Sequence, residues 1–174
     1  CDRRQRQMCI RDREYIQRNA NRLLHLVNQL MDYRRAELGV FELKAKKGNA
    51  HQLIQDNFLF YDKLARHKKI TYTLHSELEE KEELFDPNYL ELIVNNLLSN
   101  AFKYSPKYGT ILVSVTDNGP SVLIEVEDNG KGIDKESLPR IFDRFYALKN
   151  TSNYSTGIGL HLTREYVELH HGYI

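Results

Sequence analysis

The spacing of apolar residues changes along the chain, and each change predicts a different element. Ile16, Ala20, Leu23, Val27 and Leu30 recur at alternating steps of four and three residues, the seam of a coiled coil. Leu24, Met31 and Leu38 add a second line at seven-residue spacing. A stripe that wide suits a helical bundle, and one helix cannot bury both lines by itself. Partner helices are expected from another chain or from sequence outside this one. Gly39 is the expected stop.

Residues 50–66 return to a helical spacing, with Leu53, Ile54, Phe58, Tyr61 and Leu64 on one side. Residues 70–75 alternate as a strand, 77–83 form a charged turn, and 84–86 fit a short strand. Asp86-Pro87 opens a helix, with Asp as cap and Pro at the first helical position. That helix should run to Tyr104, because Ser105-Pro106 cannot continue it. Two alternating strands follow, 110–116 and 121–127, joined by the turn-rich Asp117-Asn118-Gly119-Pro120. A polar stretch then leads to a last helix over 158–170. The chain therefore divides into a bundle-forming helix (1–39), a linker (40–49) and a globular domain (50–174).

Composition narrows the class. The 174 residues suffice for one domain plus an appendage, and 41% apolar content without Trp suits an ordinary core. No run of 18 apolar residues predicts a membrane span, and no charged-then-apolar start predicts a signal peptide. The two cysteines, Cys1 and Cys9, have no metal-ligand spacing, which points to a reducing setting. Net charge is +1, so the whole chain carries no field for a polyanion. Seven arginines fall within residues 1–22, but Asp2, Asp12 and Glu14 intersperse them without an aromatic ladder. That is the wet face of a helix rather than a nucleic-acid surface.

Four short motifs carry the candidate chemistry. In NNLLSNAFKY (95–104), Asn96, Asn100 and Lys103 form a polar line separate from the core face of Leu90, Ile93, Val94, Leu97 and Ala101. Asn is a poor helix former, so two of them one turn apart need a reason. Their amide oxygens suit a hard cation such as magnesium, although an isolated pair reads as solvent-facing. In DNGKGI (128–133), Asp128 at a strand end can accept a hydrogen bond from an adenine amino group. Gly130 and Gly132 would let the backbone approach a ligand, and a plain turn fits equally well. In STGIGL (155–160), Gly157 and Gly159 open a helix whose free amides suit phosphate, or form a glycine-rich helix entry without ligand. In RIFDRFY (140–146), Phe142, Phe145 and Tyr146 would anchor the base of the polar run 143–156, read as a lid over a nucleotide or as an ordinary surface loop.

Taken together and in their order along the chain, these motifs resemble the N, G1, F and G2 boxes of the histidine-kinase branch of the GHKL ATPases. The resemblance covers residues 50–174. The stretch RNANRLLHLVNQLMDYRRAELG (18–39) resembles the second helix of the dimerisation and phosphotransfer hairpin, in wording closest to the hybrid two-component sensor kinases. The fold it implies is α+β, a two-layer α/β sandwich of the Bergerat type: a mixed sheet with helices on one face, preceded by the bundle helix. The cofactors implied are ATP and magnesium. Asn100 would bind the metal, Asn96 and Lys103 the phosphates, and Tyr104 would pack by the adenine. Asp128 would bind the adenine amino group, with Gly130, Gly132 and Ile133 beside it and Phe142 near the base of the lid. Thr156, Gly157, Ile158, Gly159 and Leu160 would bind phosphates, and Arg144 would face the γ-phosphate. Asn96, Lys103 and Arg144 would be the catalytic set.

Three departures qualify the pattern. None of the seven His precedes an acidic residue, as the family's phosphoacceptor does, so the acceptor helix is expected upstream of Cys1. Ser155 stands where many relatives have a first Gly. The chain stops at Ile174, where the family adds a further strand. The implied activity is transfer of the ATP γ-phosphoryl to a His and then to an Asp of a response-regulator receiver, by a fragment unable to phosphorylate itself. The implied setting is a homodimer through residues 10–38, on the cytoplasmic side of an inner-membrane sensor. The alternatives are a non-catalytic nucleotide-sensing module and another GHKL-type ATPase.

Overall fold

The computed structural model describes residues 41–78, 82–146 and 157–174, together with single positions between 16 and 39. It falls into two compact units, Cys1–Phe41 and Glu42–Ile174.

In the first unit, the described positions from 16 to 35 are helical. The amide of Leu38 donates to the carbonyl of Arg34, and Gly39 turns out of the helix at φ 63°. Glycine takes that left-handed conformation at little cost, as the helix end requires. Ile16, Leu23, Val27 and Leu30 of the seam are each more than half exposed, as are Leu24, Met31 and Leu38 of the second line.

The second unit runs β1 (Lys46–Gly48), α1 (Ala50–Phe60), α2 (Asp62–Lys68), β2 (Thr71–Ser76), β3 (Glu83–Phe85), α3 (Pro87–Tyr104), β4 (Thr110–Asp117), β5 (Val122–Asp128), a 3-10 turn (Leu138–Arg140) and α4 (Gly159–Leu169). β2, β4 and β5 make a mixed sheet with β4 in the centre. β2 is parallel to β4 from Thr71 opposite Thr110, and β5 is antiparallel to β4 from Ile111 opposite Asp128. β1 and β3 form a separate antiparallel pair.

The sheet is two-faced because its side chains alternate. Ile111, Val113 and Val115 of β4 are buried to 1% exposure. Tyr72, Leu74, Ile124 and Val126 pack with Val113 and Val115 against Ile54 of α1 and Val94 and Leu98 of α3, and Ile111 packs with Ala101 and Phe102. The intervening positions Thr71, Thr73 and His75 of β2 and Glu125 and Glu127 of β5 are exposed. Helices thus cover one face, in the two-layer α+β arrangement expected. Each fully buried aliphatic side chain contributes about 1.5–3 kcal/mol to holding the layers together.

α3 is the best-specified element. The Oδ1 of buried Asp86 accepts from the amides of Asn88 and Tyr89, while Oδ2 accepts from the amide of Lys44 at 2.8 Å. The amide of Asp86 in turn donates to Nε2 of His170, past the end of α4. One residue therefore caps α3 and ties down two other segments.

Two expectations change. The helix expected over 50–66 is two helices, broken at Tyr61. That ring stacks on Phe102 at 5.1 Å and its hydroxyl reaches Asn95. Holding Tyr61 against α3 turns the chain there, leaving Leu59 and Phe60 exposed and Leu64 at the margin. The segment read as a linker contains β1, whose partner β3 lies beyond the reach of any local spacing.

Candidate functional site

Asn96, Asn100 and Lys103 lie along α3 in one line, as their spacing requires. The Nδ2 of Asn96 donates to the carbonyl of Gly159 at 3.2 Å and to Oγ1 of Thr163 at 3.3 Å. Thr163 is fully buried, and its hydroxyl donates to the same Gly159 carbonyl. Asn96 is therefore a brace between α3 and the first turn of α4. With its nitrogen engaged, its amide oxygen is left to accept from a donor or a cation. Asn100 is half-buried one turn further on, and Lys103 is exposed. The ammonium groups of Lys103 and Lys131 lie 5.1 and 5.5 Å from the ring centre of half-buried Tyr104.

The turn after β5 is built from its own polar groups. Oδ1 of Asp128 accepts from the amide of Gly130 at 2.7 Å. Asn129 exchanges bonds with Thr110, accepting at Oδ1 from its amide and donating its own amide to its carbonyl. Gly130 is required for room, because a Cβ would come within 2.7 Å of the Tyr104 carbonyl and 2.5 Å of the Asp128 carboxylate. Gly132 is required for conformation, since its φ is 68° and nothing lies within 4 Å of the place a Cβ would take. Ile133 is exposed beside it.

The next segment is knotted around Ser137. Asp134 accepts from the amide of Ser137 at 2.7 Å and from its hydroxyl at 2.8 Å. The hydroxyl bond first, and the amide bond second, hold the Asp134 carboxyl below the ordinary carboxylate range. The Tyr146 hydroxyl donates to Oγ of Ser137 at 2.8 Å. The Arg140 guanidinium lies 4.6 Å from the Tyr146 ring centre and pairs with Asp143. Phe142 is half-buried with the Arg164 guanidinium of α4 at 4.3 Å from its ring centre. Arg144 and Phe145 are exposed, and Phe145 has the left-handed φ of 58°.

Gly157 also has a left-handed φ, 67°, and a Cβ there would lie 2.5 Å from the Phe145 carbonyl carbon and 2.7 Å from the Tyr146 amide. Ile158 is buried and precedes α4 without a side-chain cap. The leading amides of α4, which begins at Gly159 and Leu160, have no carbonyl of their own helix to bond. Such amides, with the helix dipole, suit an anion. Thr156 and positions 147–155 of the expected lid lie outside the described residues.

The structure thus gathers Asn96 with Gly159, Tyr104 with Gly130, and Gly157 with the 140–146 segment. It also brings in residues that the sequence reading did not single out: Thr163, Lys131, Asn129, Ser137 and Arg164. Ser137 had a signal, standing three residues after Asp134 at the spacing of a side-chain-capped turn. Thr163 and Arg164 had none, because Asn96 and Phe142, which they meet across the site, are distant in sequence.

The sequence matches the family described as "Histidine kinase-, DNA gyrase B-, and HSP90-like ATPase" over residues 85–174, just over half of the chain. Histidine kinase P4 of Formosa agariphila is 34% identical over 165 residues, which cover 91% of this chain and 12% of that protein. The chain therefore spans only a small part of this relative. Among solved structures, full-length ShkA in complex with AMPPNP aligns with a TM-score of 0.72 and 23% identity, covering 90% of this chain and 34% of that one. Histidine kinase ThkA in complex with its response regulator TrrA aligns at 0.68 and 22%, covering 91% and 45%. At those identities the two structures speak to the fold alone.

Proposed function

The chain belongs to the histidine kinase-, DNA gyrase B- and HSP90-like ATPases and carries the ATP-binding catalytic region of a sensor histidine kinase, and from that premise we propose how its residues divide the work. The Asp128 carboxylate accepts from the adenine amino group, with Tyr104, Gly130, Gly132 and Ile133 around the base. Asn96 and Lys103 meet the phosphates from α3, and Thr156, Gly157, Ile158, Gly159 and Leu160 meet them from the start of α4. Phe142 seats the segment that carries Arg144, which faces the γ-phosphate.

Asn100 is the proposed magnesium ligand. The donor set fits, because half-buried Asn100 and Asn96 offer amide oxygens on one face of α3, and hard cations favour oxygen. The metal when bound supplies neutralisation of phosphate charge. The protein's part is to hold the triphosphate in line with the acceptor and to add the positive charge of Lys103 and Arg144. In the proposed reaction the bond between the γ-phosphorus and the β–γ bridging oxygen breaks, a bond to a His nitrogen forms, and ADP departs. A receiver Asp then takes the phosphoryl group, within the same protein if it is of the hybrid kind. The exposed stripe of the first unit supports a homodimer through residues 10–38. We assign the domain to the cytoplasmic side of an inner-membrane sensor; among the described residues no helix is long and apolar enough to cross a membrane.

The observation that carries this reading is the position of α3. Its Asn96 braces the start of α4, and its Tyr104 backs the Asp128 turn through Gly130. Eight residues of helix separate the two contacts by about 12 Å along the axis. A nucleoside triphosphate can bridge that span, base at one end and phosphates at the other.

The test is a calorimetric titration of a non-hydrolysable ATP analogue with magnesium, on this chain and on Asp128→Ala. Micromolar binding that the variant loses is expected. Asn100→Ala should weaken binding more with magnesium than without it, and equal losses would overturn its assigned role.

A further inference from the structure

The hydroxyl chain from Tyr146 through Ser137 to Asp134 has no part in the roles assigned above, yet it links the two glycine-bearing pieces of the site through the aromatic segment between them. Asp134 follows the Asp128–Ile133 box directly. Tyr146 belongs to the aromatic box, and its backbone amide is one of the atoms against which Gly157 is packed. The chain is directional. Tyr146 donates to Ser137, Ser137 donates to Asp134, and the Ser137 amide supplies a second bond to the same carboxylate. Bonds that end on a carboxylate are stronger than neutral ones. Ser137 is buried, and the Arg140 guanidinium lies against the Tyr146 ring, so the central link is sheltered from competing water.

The backbone at Phe145 is left-handed, which a phenylalanine adopts only when its surroundings impose it. The Tyr146 anchor is a neighbouring group able to impose it. Gly157 then fits against Phe145 and Tyr146 with no room for even a methyl group, and Ile158 and Gly159 start α4 immediately after. The location of the α4 amides is thus set from two sides: by Asn96 on α3, and by Tyr146 through Gly157.

We propose that Asp134, Ser137 and Tyr146 are positioning residues that register the start of α4 against the Asp128 turn, and so set affinity for the phosphate arm of the nucleotide without contacting it. This rests on the nucleotide-binding reading above. It requires that loss of the chain selectively weaken ligands carrying phosphates. The base end is held by Asn129, Thr110 and the Tyr104 carbonyl, none of which depends on Ser137.

The experiment compares binding of a magnesium-bound, non-hydrolysable ATP analogue with binding of adenosine. It uses the parent chain, Ser137→Ala, Tyr146→Phe and the double variant, each with its melting temperature recorded. On the order of tenfold weaker binding of the analogue is expected in each single variant, the equivalent of one hydrogen bond to or through a charged group. Adenosine binding should be unchanged. The double variant should lose little more than the worse single one, because both changes cut the same chain. Equal weakening of both ligands, additive losses, or unchanged binding of the analogue would overturn the positioning role while leaving the nucleotide site standing. If the parent bound neither ligand, the functional reading and this inference would fall together.

Discussion

The two ends of the site are held by different means. The Asp128 end is built almost within one turn. Its bonds run from Asp128 to Gly130 and from Asn129 to Thr110 across the β4–β5 ladder. The α4 end is built from parts far apart in sequence: Asn96 with Gly159, and Gly157 with Phe145 and Tyr146. The first can form with its hairpin, whereas the second exists only once α3, α4 and the aromatic segment have packed. Base recognition then rests mainly on the hairpin with one contact from α3, through Tyr104 and Gly130, whereas phosphate handling rests on tertiary contacts throughout. Damage to packing should reach the phosphates first.

The largest expected effect tests this with one pair of glycines. Gly157→Ala forces a side chain both into left-handed backbone and onto the backbone of Phe145 and Tyr146. A loss of about 3 kcal/mol of unfolding free energy follows from strain plus overpacking. Gly132→Ala meets the same backbone strain in open space and should lose only about 1 kcal/mol. Urea denaturation of the two variants measures both. Equal losses would mean that the contact at Gly157 is not a packing constraint, and the contrast between the ends would be gone.

Asn96→Ala should fall between these, at about 2 kcal/mol, since it removes bonds to both Gly159 and Thr163 beside a fully buried threonine. Nucleotide titration of the same variant should show the ATP analogue weakened and adenosine spared. An Asn96→Ala protein as stable as the parent would show that the brace between α3 and α4 carries no weight.

The same division explains what could be read in advance. α3 was legible because its signals are adjacent: Asp86 as cap, Pro87 at the first position, Ser105-Pro106 at the end. The β4–β5 hairpin was legible for the same reason, with Gly119 at φ 81° in the turn and its amide bonded to Asp117. The motifs stood out as polar and glycine-bearing stretches, yet the contacts their residues make did not. Gly130 reads as room for a ligand, and what the structure adds is that a Cβ there would also meet the Tyr104 carbonyl. Asn96 reads as a polar residue in want of a partner, and its partners lie 63 and 67 residues away. The break at Tyr61 was illegible too, because amphipathic spacing continues through it and the contacts that hold Tyr61, with Phe102 and Asn95, lie on α3. Spacing reports which face an element buries, and it is silent on what that face meets.

The smallest effect concerns the link between the two ends. Bonds from the Ser137 hydroxyl and amide hold the Asp134 carboxyl below its ordinary value of 3.8. A depressed folded value means that folding favours the ionised form. Its contribution is therefore complete above the ordinary value and is lost as pH falls through the lower, folded one. The carboxyl is exposed, so water screens it and the effect on stability is slight. Asp134→Asn should thus trail the parent in urea denaturation at neutral pH and draw level with it in acid. A gap that widened in acid would reverse the sign of the linkage. Following the Asp134 carboxyl carbon by NMR in the parent and in Ser137→Ala gives the cause directly, because removal of the hydroxyl should let the titration return towards its ordinary range. An unchanged titration would mean that the Ser137 hydroxyl does not hold the carboxylate, and the two ends of the site would be registered by Asn96 alone.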